Sequence, residues 1–273
     1  MKAILFPVDD LRQITRPKAT SNPTMRHQTL CDAAIALSSV LTAHATPHAF
    51  FGGFAIIELC RENATAYRES KDIDCLVRGN KDDVLRMFEH RLEWMVIPQG
   101  REDYVAYFWK SPLDGVMVLV ELFVGMHASS SIWSVCGLLA NYTETGTRQS
   151  HNTPRSIPHV LSSPLYGDAT IPILSAVSLF RGKLNACATR SKDSDVSDLL
   201  FLIALFPREA KAGGKKVDKK VVAAAIARWP QLRSVLERSG TPVKQKLLVG
   251  GQCYIQAGKI SEGDVHRGLG CAW

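Results

Sequence analysis

The sequence lacks the cysteine spacing that marks disulfide-rich or zinc-binding folds. Its seven cysteines include no C-x-x-C pair, and an odd number cannot all pair within one chain. We therefore predict neither a disulfide framework nor a structural zinc site. No apolar run approaches the roughly 20 residues of a membrane helix, and Asp9 and Asp10 interrupt the apolar start of the chain, unlike a secretory signal. The expectation is an intracellular, cytoplasmic protein without a membrane partner.

The chain also lacks a strong excess of charge. Of its 273 residues 22% are charged and 46% hydrophobic, which is typical of globular proteins with one large core or two modest ones. The net charge of +7 and the pI near 9.1 permit anionic partners such as nucleotides or RNA. Charge of this size is also common in proteins that bind nothing acidic.

The N-terminal half has alternating helix and strand patterns. Apolar residues at helical spacing predict an amphipathic helix over 25–44, with the face Leu30, Ala33, Ala34, Leu37, Val40 and Leu41. A short strand at 48–51 precedes two glycines and a helix, and KDIDCLV predicts the next strand. A helix over 81–92 is followed by three extended segments, of which the last two are joined at the hairpin signal Asp114-Gly115.

The second half is predicted to be mainly helical. Residues 126–170 are rich in Ser, Thr, Asn, Gly and Pro, and four helix patterns follow. We predict an α+β fold in which a small mixed β-sheet flanked by helices (1–130) leads through an irregular connection (131–170) to a helical region (171–273). The lysine and glycine run at 211–216 could hold RNA phosphates, but we expect a solvated loop.

Two acidic residues on one strand are the first candidates for chemistry. In Lys71-Asp72-Ile73-Asp74 the period-2 geometry of a strand puts both carboxylates on one face. Magnesium commonly takes one or two carboxylates while substrate phosphates and water complete its coordination. A pair of acids with this spacing is frequent by chance, and a solvated strand end is the alternative.

Two further features could belong to the same site. Gly52 and Gly53 lie between a strand and a helix, where backbone N–H groups could approach a phosphate; the alternative is a tight turn without a ligand. Glu121 lies in an apolar strand where an unpaired carboxylate would be costly, so a metal ion or cation is expected near it. A salt bridge or an edge-strand charge is the alternative for Glu121.

Together these elements resemble the nucleotidyltransferase superfamily of the DNA polymerase β type. Its signature is a Gly-Gly or Gly-Ser pair, a spacer, and two acids separated by an apolar residue, with a further acid on a later strand. The spacer to Asp72 resembles members that insert a loop with an arginine and a serine. On this resemblance Arg68, Ser70 and Lys71 are expected to contact the nucleotide.

A second segment resembles the AbiEii-type toxins and their relatives. The residues that carry the resemblance follow the pattern K-L-x-A, then R, then D-x-x-D-L, and are Lys183, Arg190, Asp195 and Asp198. The resemblance implies that the lysine contacts nucleotide phosphates and that the aspartates order that part of the site. An interhelical salt-bridge set is the alternative. Both resemblances together cover residues 45 to 205.

The resemblance implies an enzyme that transfers a nucleoside monophosphate from a nucleoside triphosphate. Magnesium, with manganese as the alternative, would be held by Asp72, Asp74 and Glu121. The acceptor is open among RNA, a protein and a small molecule, and no protein partner is indicated. A non-catalytic nucleotide-binding protein of the same fold is the main alternative. A metal-dependent nuclease is weaker, because Glu121 is not followed by the lysine of an E-x-K motif.

Overall fold

The computed structural model describes residues 23–61, 69–125 and 156–243 of the chain, with side chains from residue 26 onward. The described residues fall into two compact units. Unit 1 comprises 23–61, 69–125 and 156–173, and unit 2 comprises 174–243. The fold is α+β, as predicted. None of the helices in the described ranges has the length and apolar content to cross a membrane.

Unit 1 is built on a seven-stranded mixed sheet in the order β3-β4-β5-β2-β1-β7-β6. The strands are β1 (His48–Phe51), β2 (Asp72–Arg78), β3 (Trp94–Ile97), β4 (Tyr104–Lys110), β5 (Met117–Gly125), β6 (Ser156–Ser163) and β7 (Gly167–Leu174). Strand β2 runs antiparallel to β1 and parallel to β5, and β4 is antiparallel to both β3 and β5. The parallel β2–β5 pair puts the strands with the predicted acids side by side.

The described residues of unit 1 contain three helices: α1 (Pro23–Ala43), α2 (Gly52–Cys60) and α3 (Lys81–Phe88). The predicted apolar face of α1 is confirmed, because all six of its residues are at most 3% exposed. This helix packs on β2, β5 and β6. Helix α3 begins at the cap residue Asn80, whose side chain accepts a hydrogen bond from the Asp83 N–H.

The hairpin predicted at Asp114-Gly115 joins β4 to β5. Gly115 has a φ of +72°, which glycine adopts at no steric cost, and its N–H donates to the Ser111 carbonyl. Beyond the turn, Lys110 pairs with Met117 and the register continues to Tyr104 opposite Phe123. The turn therefore fixes which residues of β4 lie beside Glu121.

The segment 156–174 differs from the sequence prediction, which placed 156–170 in an irregular connection. It forms strands β6 and β7, and β6 is the last strand of the sheet. A terminal strand needs little apolar alternation and tolerates a proline such as Pro158, because one of its edges is unpaired. This is why the polar sequence SIPHVLSS concealed a strand. Residues 131–155 of the predicted connection lie outside the described residues.

Unit 2 is helical in its described part, as predicted. Its helices are α4 (Ala176–Thr189), α5 (Asp193–Leu205), α6 (Pro207–Gly214), α7 (Lys219–Arg228) and α8 (Leu232–Arg238). Helix α4 is central, since it packs on α5, α6 and α7. Its buried residues include Leu179, Phe180 and Leu184.

The predicted loop at 211–216 is wrong over most of its length, because residues 207–214 form α6. Gly213 and Gly214 are buried rather than solvated. A Cβ on Gly213 would lie 2.8 Å from the Phe180 ring, and one on Gly214 would lie 2.2 Å from Thr241 Oγ1. The two glycines therefore serve close packing of the helix and not flexibility.

Candidate active site

Strand β2 presents two carboxylates on the half-exposed face of the sheet in unit 1. Asp72 and Asp74 are each half-buried, whereas the alternating residues Ile73 and Cys75 are fully buried. The strand period of two therefore separates an acidic face from a core face, as predicted.

Strand β5 adds the third carboxylate in the parallel pairing. Asp74 is in register with Glu121, and Asp72 is in register with Leu119. Residues opposite each other on neighbouring strands lie on the same face, roughly 5 Å apart at the backbone. We call Asp72, Asp74 and Glu121 the acidic site.

Carboxylates at this spacing repel one another. Two unit charges about 5 Å apart interact by about 1 to 3 kcal/mol, depending on how far water screens them. A divalent cation relieves this repulsion, and carboxylate oxygens are the ligands that magnesium prefers. The donor set of the acidic site therefore fits a magnesium ion.

The turn from β1 into α2 passes directly against Asp74. Phe51 pairs with Asp74, and Gly52 follows with a φ of +70°. A Cβ on Gly52 would lie only 1.9 Å from Asp74 Oδ2, so no other residue fits without displacing the carboxylate. This close approach places the first residue of α2 beside the acidic site. No side chain caps this helix start.

Tyr104 is a site residue that the sequence analysis missed. Its hydroxyl donates a hydrogen bond to Glu121 Oε1, and its ring packs edge-on against Phe123 with centroids 5.3 Å apart. Burial and the negative charges of Glu121 and Asp74 raise the pKa of Tyr104, so the hydroxyl stays a proton donor at neutral pH. Counting back along β4 from the Asp114-Gly115 hairpin would have placed Tyr104 opposite Phe123.

The surroundings of Glu121 correct one expectation. Strand β5 lies between β2 and β4, so Glu121 is not an edge-strand charge. Its side chain is half-buried and accepts the Tyr104 hydrogen bond, so a nearby cation is not its only means of stabilisation.

The residues predicted before β2 have different settings. Ser70 is 2% exposed, and its hydroxyl donates to the Asp72 carbonyl at 3.1 Å, with Asp72 Oδ1 at 3.4 Å. It therefore positions the start of β2. Lys71 is exposed, and Arg68 lies outside the described residues. The nucleotide contacts predicted for Lys71 and Arg68 stay predictions. The contact predicted for Gly53, which is buried in α2, also stays a prediction.

Unit 2 holds the second predicted set as an ion network around two buried aspartates. Lys183 Nζ lies 2.8 Å from Asp195 Oδ1 and 2.7 Å from Asp198 Oδ2, and Arg190 Nε lies 2.6 Å from Asp195 Oδ2. Both aspartates are fully buried. These contacts are the interhelical salt-bridge set named as the alternative, joining α4 and its C-terminal end to α5. Nucleotide binding by these residues stays a prediction.

The network sets the protonation of Asp195. Burial alone would raise the pKa of this carboxyl, but the hydrogen bond from Arg190 and the charge of Lys183 outweigh that effect and hold the pKa below its ordinary value. Asp195 is therefore ionised at neutral pH. Its contacts with Lys183 and Arg190 join α5 to α4 and the C-terminal end of α4.

No protein-family model and no curated protein sequence matches the chain. Among solved structures, the chain is similar to an antigenic nucleotidyltransferase-like protein from Paracoccidioides brasiliensis, with 17% sequence identity and a TM-score of 0.48. The superposition covers 80% of this chain and 94% of that one. A likeness of this degree does not establish an activity, which has to be argued from the site itself.

Proposed function

We propose that the chain is a metal-dependent nucleotidyltransferase that transfers a nucleoside monophosphate from a nucleoside triphosphate to an acceptor hydroxyl. One observation carries the proposal: Asp74 and Glu121 are in register on parallel strands, beside a turn where only glycine fits against Asp74. Asp72 lies on the same face two residues away. The arrangement combines a divalent-cation donor set with a backbone that approaches it closely.

In this proposal the metal ligands are Asp72, Asp74 and Glu121. Bound magnesium would supply charge that polarises the α-phosphate and stabilises the leaving pyrophosphate. The first N–H groups of α2, which no side chain caps, would face the phosphate tail.

The bond changes balance without a further reactant. The acceptor oxygen bonds to the α-phosphorus, the bond from that phosphorus to the β-phosphate oxygen breaks, and pyrophosphate leaves. Glu121 takes the proton of the acceptor hydroxyl. Tyr104 acts through Glu121 as a positioning residue, because its hydroxyl holds one carboxylate oxygen. The acceptor is an RNA, a protein or a small molecule.

Two alternatives make different predictions. A catalytically inactive protein of this fold would bind a nucleotide with metal but transfer nothing. A metal-dependent nuclease would shorten nucleic acids, but Glu121 is followed by Leu122 and Phe123, not by the lysine that commonly completes such a site.

The test is to incubate the full chain with each nucleoside triphosphate labelled at the α-phosphate, magnesium and a cell extract. We expect label in a macromolecule or small molecule with the wild type. In the double variant Asp72→Asn, Asp74→Asn the rate of label transfer should fall at least about 100-fold, as expected when preorganised charge stabilisation is removed. Asp82→Asn, which changes an exposed acid in the first turn of α3, is the matched control and should label normally.

Each other outcome contradicts the proposal in a different way. Metal-dependent nucleotide binding without label transfer favours the inactive protein. Shortened RNA or DNA without labelled acceptor favours the nuclease. Equal labelling by the wild type and the double variant would show that the acidic site is not the active site.

A further inference from the structure

A second group of metal-ligating side chains lies in unit 1 apart from the acidic site. His27 and Cys31 are one turn apart on α1, and Glu58 lies in the C-terminal half of α2. Each residue offers one ligand atom, and these atoms all lie within 4.8 Å of one another. They are His27 Nε2, Cys31 Sγ and a carboxylate oxygen of Glu58. We call His27, Cys31 and Glu58 the His–Cys–Glu cluster.

The cluster is tight and largely shielded from water. His27 Nε2 lies 2.6 Å from Glu58 Oε1 and 3.5 Å from Cys31 Sγ. Cys31 is 1% exposed and Glu58 2% exposed. A buried carboxylate needs a cation or hydrogen-bond donors, because leaving it without them costs several kcal/mol, about the effective desolvation penalty of an ion.

The hydrogen-bonding pattern leaves two lone pairs facing each other. Arg61 Nη1 lies 2.9 Å from His27 Nε2, and since arginine can only donate, Nε2 must be the acceptor. It therefore cannot also donate to Glu58 Oε1, although that oxygen is only 2.6 Å away. In agreement with this, Glu58 Oε1 has no hydrogen-bond partner among the described residues.

Although the cysteine spacing alone predicts no structural zinc site, we propose that the His–Cys–Glu cluster binds a zinc ion through His27 Nε2, Cys31 Sγ and Glu58 Oε1. Imidazole, thiolate and carboxylate together are ligands that zinc accepts. They suit magnesium or calcium poorly, since those ions prefer oxygen.

Two neighbours complete the surroundings. His159 of β6 lies with Nε2 3.3 Å from Glu58 Oε2 and fixes the other carboxylate oxygen, as outer groups around metal ligands do. Arg61 donates a hydrogen bond to His27 Nε2 and so occupies the lone pair with which His27 would bind the metal. Its side chain is 53% exposed, so it can move into solvent when the ion binds.

The consequence of zinc binding is a cross-link between α1 and α2. Glu58 follows Gly52 by six residues on α2, which is about 9 Å along a helix. The ion would therefore fix the helix whose first residue lies against Asp74, without belonging to the acidic site. The zinc ion would thus stabilise the position of the turn at Gly52, which is a structural role separate from nucleotidyl transfer.

The test measures metal binding by the full chain, free of any affinity tag and stripped with a chelator. After dialysis against zinc we expect one tightly held zinc ion per chain and a raised Tm. Cobalt in place of zinc should give a thiolate-to-cobalt charge-transfer band in the near ultraviolet, which reports the Cys31 ligand directly.

Cys31→Ser should lose that band and the rise in Tm. Cys187→Ser is the matched control, because Cys187 is equally buried but lies in unit 2, and it should keep both. His27→Gln, at a side chain that is 16% exposed, should lose the tight zinc ion even where Cys31→Ser fails to fold. A wild type that holds no stoichiometric zinc, or a cobalt band that survives in Cys31→Ser, would overturn the proposal.

Discussion

Gly52 shows how one residue combines two requirements. Its φ of +70° disfavours other residues by roughly 1–2 kcal/mol, and a Cβ there would lie 1.9 Å from Asp74 Oδ2. We expect Gly52→Ala to displace Asp74 and to abolish metal-dependent nucleotide binding. The measurement is nucleotide affinity with and without magnesium, beside the free energy of unfolding.

Gly167 provides the control for backbone strain alone. Its φ is +72°, but a Cβ there would meet nothing within 4 Å. Gly167→Ala should therefore lose a similar part of its unfolding free energy through strain and still bind nucleotide with magnesium. Equal nucleotide affinity in Gly52→Ala and Gly167→Ala would mean that the contact with Asp74 has no role in binding.

At the residue scale, the sequence reveals that two acids share a strand. It does not reveal which residues of the neighbouring strands lie beside them, because that depends on the strand register. Asp72 and Asp74 share a face through the strand period alone, whereas pairing Asp74 with Glu121 requires a parallel neighbour 47 positions later in the chain. Tyr104 depends on the register of a hairpin. His27 and Cys31 do share a helix face by spacing, but their link to Glu58 exists only after α1 and α2 pack together.

At the scale of elements, α6 depends on two glycines that look like loop residues in the sequence. Gly214 lies so close to Thr241 that a Cβ would meet three atoms of that side chain at 3.0 Å or less. Gly214→Ala adds helix propensity of up to about 1 kcal/mol, but overpacking costs about 1–3 kcal/mol. We expect net destabilisation, measured by urea unfolding.

The change Thr241→Ala separates the gain in helix propensity at Gly214 from the cost of overpacking against Thr241. It removes two of the three close contacts, those of Oγ1 and Cγ2, and leaves only the one with Cβ at 2.9 Å. In a double-mutant cycle, Gly214→Ala should be less harmful in the Thr241→Ala background, with a coupling of about 1 kcal/mol. Purely additive effects would show that Thr241 does not limit the packing of α6.

Elements with a strong period were predictable, and those defined by tertiary contacts were not. The apolar face of α1 and the core face of β2 each follow from one local pattern. Strand β6 has a polar sequence because it is the last strand of the sheet, and α6 contains glycines because neighbours approach it closely. Local propensity is a weak prior where packing decides the structure.

For the whole molecule, the two units place the predicted residues in separate compact bodies. Unit 1 holds the acidic site, and unit 2 holds the ion network around Lys183. The α+β class follows from the order of elements in the sequence. That β6 and β7 belong to unit 1 does not, since they come directly before the helices of unit 2 in the chain. The pairing of Phe50 with Ile173 establishes it.

The ion network also makes global stability sensitive to acid. The pKa of Asp195 is lower in the folded chain than its ordinary value of 3.8. A carboxyl with a depressed pKa contributes its full stability above the ordinary value and loses it as pH falls through the folded pKa. The unfolding free energy of the wild type should therefore decrease below a pH of about 3.8.

Asp195→Asn tests this directly, because asparagine cannot titrate. The variant should be less stable than the wild type at pH 7, since it removes the buried carboxylate to which both Lys183 and Arg190 are paired. The difference should narrow as pH falls below 3.8, because only the wild type loses the contribution of this carboxylate. Urea unfolding followed by circular dichroism at several pH values measures it, with the exposed change Asp82→Asn as control. A gap of constant size down to pH values well below 3.8 would show that Asp195 does not titrate with unfolding in this way, and the network would then stabilise unit 2 through packing and not through charge.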